Sequence, residues 1–275
     1  MFGRRPGAEH VAVTLSLTPI SRCPSHLAVS AVPLARPSRQ TTVPAEDMCA
    51  LRVQRVAADD AKAHEAVAEV MRRGFLPHES ACHASRVSQD PDAERELLDL
   101  VRAALADGVS VAVYIGDDMV GAAVNKIQVR PPPGGKSFFE RFYEERASRP
   151  ATRFVLDFMA KIDAQADLFA EAGGDPILEL MFLGVVPEAG RRGVGQRLTE
   201  ETVQLARSVR VKAVSAIWTS DYSRAIGARL GFKELTVADH STFSFEGTTI
   251  AQAAAPHQQR SVLALFKLPA ESRNL

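Results

Sequence analysis

ILELMFLGVVPEAGRRGVGQRLTEE, running from Ile177 to Glu201, decides the fold. The stretch from Ile177 to Val186 is apolar almost throughout, which predicts a central strand buried on both faces, with Glu179 its one charged residue. Pro187 turns the chain out of the strand, and AGRRGVG, Ala189 to Gly195, follows with its glycines and two arginines. Val194, Leu198, Leu205 and Val209 then recur at helical spacing. Strand, glycine loop and helix in this order aim a row of backbone N–H groups from a helix N-terminus. Concentrated negative charge, such as a diphosphate, suits such a row when glycines let the backbone come close. No Lys-Ser/Thr pair follows the glycines as a P-loop requires, and the first strand carries no G-x-G-x-x-G fingerprint, so neither of those nucleotide loops is present.

Outward from this stretch the pattern is that of a mixed α/β domain. LRVQRV at Leu51 alternates like a strand, Asp59 or Asp60 caps a helix with Val67, Val70 and Met71 on one face, and Gly74 ends it. A second helix follows Asp92, with Leu97, Leu98, Val101 and Leu105 at helical spacing and Gly108 as its stop. Val109 to Ile115 and Met119 to Ile127 read as a hairpin joined by a Gly-Asp-Asp turn. Residues 130 to 175 continue as amphipathic helix, where Phe154, Phe158, Ile162 and Phe169 either cover a pocket or simply face the core. After the glycine loop and its helix come a strand over Val211 to Thr219, a helix capped by Ser220 or Asp221 and stopped at Gly231, and strands in KELTVA and SVLALFKL.

The chain has 275 residues, 46% of them hydrophobic, enough to bury one substantial core. Thirty-three basic residues balance thirty-three acidic ones, so no overall field draws the protein to nucleic acid or to an anionic membrane, and an anionic ligand must be held locally. Cys23, Cys49 and Cys82 lack the spacing of a metal site or a disulfide framework, which points to a reducing, cytoplasmic setting and no metal. No stretch approaches the roughly 18 apolar residues of a membrane span. Residues 1 to 47 are proline-broken and basic, with Glu9 the only carboxylate before Glu46. They read either as a disordered extension or as a mitochondrial transit peptide, ahead of a domain spanning residues 48 to 275.

FLGVVPEAGRRGVGQRLTEE resembles the strand and loop of GNAT acetyltransferases, a motif written Arg/Gln-x-x-Gly-x-Gly/Ala after an apolar strand ending in V-x-P. Gly193 and Gly195 match its glycines, while its first position falls on Gly190. RRGFLPHESACHA, from Arg72, and TSDYSRAIGARLGF, from Thr219, resemble segments of arthropod arylalkylamine N-acetyltransferases, with Ser80 and Ala81 where the first segment usually has Pro-Leu. The resemblance runs from about Leu51 to Leu268.

It implies a central mixed β-sheet flanked by helices and a reaction in which acetyl-CoA, as co-substrate, donates its acyl group directly to the primary amine of a small arylalkylamine. Leu183, Gly184 and Val185 of the strand and Arg191, Arg192, Gly193, Val194, Gly195 and Gln196 of the loop would hold acetyl-CoA. Glu79 falls on the family's catalytic glutamate, and Ser223, with Thr219 beside it, on an active-site serine that would serve the departing sulfur. An amine arrives as an ammonium and must lose a proton before it can attack, so the site needs a base. His78, His240 and Glu179 are rivals to Glu79 in that role. Many members carry a tyrosine four residues before the final Gly-Phe; here that position is Gly227, which leaves Thr219, Ser220, Tyr222 and Ser223 as hydroxyl candidates. Alternative readings are a polyamine, amino-acid or protein-lysine acceptor, or a non-catalytic acyl-CoA-binding protein.

Overall fold

The computed structural model describes Leu51 to Pro269; the extension assigned to residues 1 to 47 lies outside the described residues. A seven-stranded mixed sheet carries the architecture. β1 (Leu51–Val56), β2 (Ser110–Ile115), β3 (Asp118–Gln128) and β4 (Ile177–Val185) are successive antiparallel neighbours. β5 (Ala213–Trp218) then runs parallel to β4, and β6 (Lys233–Asp239) forms the far edge. The last strand, β9 (Arg260–Lys267), lies between β5 and β6 and is antiparallel to both. β4 is therefore the fourth of seven, the central strand that its apolar run predicts.

α1 (Ala61–Gly74), α3 (Pro91–Leu105) and α7 (Val194–Ser208) pack on the β1 to β4 half of the sheet. Asp60 starts α1 by accepting from the Ala63 amide. α3 begins at Pro91, and the cap is Asp90, whose side chain accepts from Asp92 and Ala93 at 3.1 and 3.2 Å. Pro at the first helical position needs no amide bond, so the helix opens ahead of the expected Asp92. α8 (Asp221–Leu230) is capped by Ser220 and closed by Gly231. The segment before β4 folds as α4 (Phe138–Arg146), α5 (Pro150–Asp163) and α6 (Leu168–Ala172).

Several details depart from the sequence reading. Gly74 is the last residue of α1 and has no positive φ; a Cβ there would stand 2.3 Å from the Val185 carbonyl oxygen. Its glycine is required by close approach to β4, not by helix termination. β4 alternates buried and half-buried residues, and the half-buried Glu179, Met181 and Leu183 reach the wall of a cleft. Phe158 and Ile162 are core residues, while the cavity face of α5 is made by Val155, Leu156 and Met159. Four short elements carry too little periodicity to be read: α2 (Ser80–Ala84), β7 (Ser244–Phe245), β8 (Thr248–Thr249) and α9 (Ile250–Ala253). Among the described residues no helix is long and apolar enough to cross a membrane.

Candidate active site

The glycine loop leaves β4 through a 3₁₀ turn at Pro187–Ala189. Arg191 and Gly193 then take left-handed conformations, φ 61° and 76°, and Gly193 becomes the N-cap of α7 without a side chain to satisfy the first turn. Among the described residues the amides from Arg191 to Gln196 donate to no protein group. This fifteen-residue helix therefore presents unpaired N–H groups and the positive end of its dipole together. Neither Arg191 nor Arg192 forms an ion pair among the described residues, so both remain available to an anion. The Gln196 side chain is engaged with Glu200 and Arg229, so its contribution is its backbone amide.

Beside this loop the sheet opens. β4 and β5 pair only over Leu178 to Leu180 and Val214 to Ala216, and beyond that point they diverge. Val186 donates to Val120 across β3, so by strand alternation the amide of Gly184 also faces β3, while those of Leu183 and Val185 face the open edge. The Gly184 amide, expected from the sequence to face the co-substrate, is thus turned to β3, and a Cβ on Gly184 would stand 2.9 Å from the Met71 sulfur and 3.5 Å from Phe75 on the α1 side. Gly195 connects loop and cleft, since a Cβ there would lie 3.4 Å from Ile226 and 3.9 Å from Leu183.

A cavity of about 210 Å³ occupies the divergence and brings Glu79, Thr219, Ser220 and Ser223 to its wall together with Leu183. Glu79 is 4% exposed and is the N-cap of α2. Its Oε2 accepts from the Cys82 amide at 2.8 Å and its Oε1 from the Ser80 hydroxyl at 2.9 Å. Each carboxylate oxygen has a second lone pair, so this fixed group can still accept a proton from the cavity. The loop before it is pinned by Gln258, which donates to the His78 carbonyl at 2.7 Å and also lines the cavity. Ser220 caps α8 through the Ser223 amide, and the Ser223 hydroxyl lies 3.0 Å from that of Ser220 and 3.1 Å from the Ser220 carbonyl.

The remaining candidates separate clearly. Tyr222 is 68% exposed and stacks on His257, outside the cavity. His240 is buried, hydrogen-bonded to the Gln258 carbonyl and Ser261, and lowered in pKa by that burial, which makes it a neutral structural ring. His78 lines the cavity. Cys82 does too, unforeseen from the sequence, but burial and then the Glu79 charge push its thiol well up, so it stays protonated. A Cβ on Gly227 would stand 2.5 Å from the Trp218 indole nitrogen, so a tyrosine at that position is sterically excluded.

Glu179 stands on the wall shared by this cavity and a second, larger one, and accepts from Gln128 at 2.7 Å. Burial, and after it the charge of Asp163, push its carboxyl up to about 8. Asp163, at the end of α5, is itself raised to about 6 by the surrounding protein although its surface still opens to solvent. No periodic or motif signal marks Asp163 in the sequence. Among the described residues no three His, Cys, Asp or Glu side chains gather as metal ligands.

No protein-family model matches the chain. Solved structures do. It is similar to arylalkylamine N-acetyltransferase 2 of Aedes aegypti at 18% identity and TM-score 0.69, over 80% of this chain and 99% of that one. A mosquito arylalkylamine N-acetyltransferase like 5b aligns at 19% identity and TM-score 0.65, over 80% and 100% of the respective chains. A Drosophila melanogaster polyamine N-acetyltransferase, described as forming N-acetylagmatine, aligns at 17% identity and TM-score 0.65, over 79% and 100%. Each of these neighbours is spanned almost end to end. The chain has the fold of the GNAT N-acetyltransferases.

Proposed function

We propose that this protein transfers an acetyl or short acyl group from acyl-CoA to the primary amine of a small molecule, arylalkylamines being the first acceptors to test. The observation that carries the reading is the continuity from an uncapped helix N-terminus, through diverging strands, to a cavity holding a fixed carboxylate and a hydroxyl. The amides from Arg191 to Gln196, with Arg191 and Arg192, fit a pyrophosphate, and the open edge at Leu183 and Val185 fits an extended amide-bearing arm.

Glu79 takes the proton that the ammonium must lose, directly or through one water, so the free amine can attack the thioester carbonyl. An open-edge amide of Leu183 or Val185 donates to the oxygen that becomes negative in the tetrahedral intermediate. As that intermediate collapses the carbon–sulfur bond breaks, and Ser223 hydrogen-bonds the departing sulfur, with Thr219 at its side. The inert thiol of Cys82 supports direct transfer rather than an acyl-enzyme.

Incubating the protein with acetyl-CoA and a panel of arylalkylamines, polyamines, amino acids and lysine peptides, and following thiol release, tests the proposal. Release with one amine class is expected. Acetyl-CoA binding without release across the panel would instead make the chain an acyl-CoA-binding protein.

A further inference from the structure

Beside Glu79 the cavity carries a second fixed polar side chain, Gln258. It lies in the segment between α9 and β9, is only 8% exposed, and lines the cavity together with Glu79, Thr219 and Ser223. Its Nε2 donates at 2.7 Å to the carbonyl oxygen of His78, the residue just before Glu79. A carbonyl can only accept, so the amide nitrogen must face it and the amide oxygen, Oε1, must point away. Among the described residues no donor meets Oε1, and that oxygen is not sealed inside the protein.

Everything else about Gln258 is tied down. Its backbone amide donates to the Ala255 carbonyl at 2.8 Å, and its own carbonyl accepts from His240 Nδ1 at 2.8 Å. Facing a carbonyl, Nδ1 must carry the ring proton, so His240 Nε2 accepts from the Ser261 hydroxyl at 2.7 Å and the buried ring serves as a peg under the segment. On either side, the His257 carbonyl accepts from the Asp221 amide at 2.8 Å and the Gln259 carbonyl from the His240 amide at 3.0 Å. An acceptor held this firmly costs a ligand little ordering. In a cavity walled largely by apolar side chains it also attracts an N–H more strongly than it would in water.

We infer that Gln258 Oε1 accepts one N–H of the reacting amine while Glu79 takes the proton from another, so that the two side chains together aim the nitrogen lone pair at the thioester carbon. This rests on the transfer reading above and assigns the nitrogen its second contact. An attacking nitrogen is useful only when its lone pair is aligned, and that direction is set by where its remaining N–H bonds are held. The site then selects by the number of N–H groups. A primary ammonium satisfies both acceptors, whereas a dimethylated one has a single N–H and leaves Gln258 unfilled.

Phenethylamine and N,N-dimethylphenethylamine are the probes, titrated into the whole protein at neutral pH, where both are ammonium ions. Saturating CoA is present, since it has no acyl group to transfer. Trp218, the one tryptophan of the chain, lines the same cavity, so its emission reads occupancy. The wild type should bind the primary amine at least about tenfold more tightly, the size of one hydrogen bond to a charged group. Gln258→Met keeps the side-chain length and removes the amide, so that preference should shrink to about twofold or less, whereas simple steric exclusion of the methyl groups would survive the change. Gln258→Glu gives up the donor to His78 but keeps an acceptor oxygen, and the preference should persist. Circular dichroism checks that each variant is folded. Equal binding of the two amines by the wild type, binding of neither, a preference that survives Gln258→Met, or one lost in both variants overturns the inference. Thiol release from acetyl-CoA with phenethylamine that is undiminished in Gln258→Met would leave the proposed activity standing and the inference refuted. The expected pattern of preferences without thiol release from any amine would support the contact and refute the activity.

Discussion

Glu79 caps a helix and faces a cavity with the same carboxylate, so a substitution must keep the first role to test the second. Glu79→Gln does this: its amide oxygen can accept from the Cys82 amide and its NH₂ can donate to the Ser80 hydroxyl, while the basic site is gone. Turnover should fall by about 10²- to 10⁴-fold, with acetyl-CoA affinity by calorimetry nearly unchanged. Wild-type turnover in a folded variant would move the base to His78 or Glu179, which line the same cavity. Glu179 supplies a second test. Its folded carboxyl, at about 8, holds a proton more tightly than the ordinary value of 4.5. Stability from that proton is therefore complete below pH 4.5 and is lost as pH rises through about 8. Glu179→Gln should lose less melting temperature than wild type between about pH 5 and about pH 8.5; parallel decline of the two proteins would refute the shift. These residues were unequally visible in the sequence. Glu79 and Ser223 came from motif segments, because a functional loop residue leaves no hydrophobic period. Asp163 left no trace, since its relation to Glu179 exists only once α5 packs on the sheet.

At the level of elements, α7 and its glycine loop make the most exposed prediction. Gly195→Leu suits a helix better than glycine, and the nearest atoms to the new Cβ, on Ile226 and Leu183, stand at 3.4 and 3.9 Å, so the fold should survive. The side chain would point along the route from loop to cleft, and acetyl-CoA affinity should drop by about tenfold or more. Undiminished affinity by calorimetry, with an unchanged circular dichroism spectrum, would remove this loop from the binding site. The long elements were legible because their apolar residues repeat at 3.6 or 2 residues over enough length to be counted. α2 and α9 span only five and four residues, less than two turns, and are stabilised by caps at Glu79 and Thr249 rather than by an amphipathic face. Gly74 shows a different limit, since a glycine demanded by a neighbouring strand looks in the sequence like one that stops a helix.

For the whole molecule, the seven strands of the sheet among the described residues lie within Leu51 to Lys267. A chain starting at Met48 should therefore retain the melting temperature and turnover of the full chain, as expected of an extension, and a large loss of either would show residues 1 to 47 to be part of the domain. What composition and periodicity could not give was strand order: nothing local in SVLALFKL says that it enters between β5 and β6. That insertion has a consequence for biosynthesis. Among the described residues β6 has β9 as its sole neighbour in the sheet, and β5 owes one whole edge to it, so on the ribosome β5 and β6 wait for β9. Until residues 260 to 267 emerge, the wall bearing Thr219 and Ser223 has no fixed place opposite Glu79, and β5 offers a bare apolar edge to any other nascent chain. A product ending ahead of Arg260 should be recovered as aggregate. Translation to the end is what joins the two halves of the cleft, so a partial chain that already holds the loop and α7 stays without a place for its acceptor.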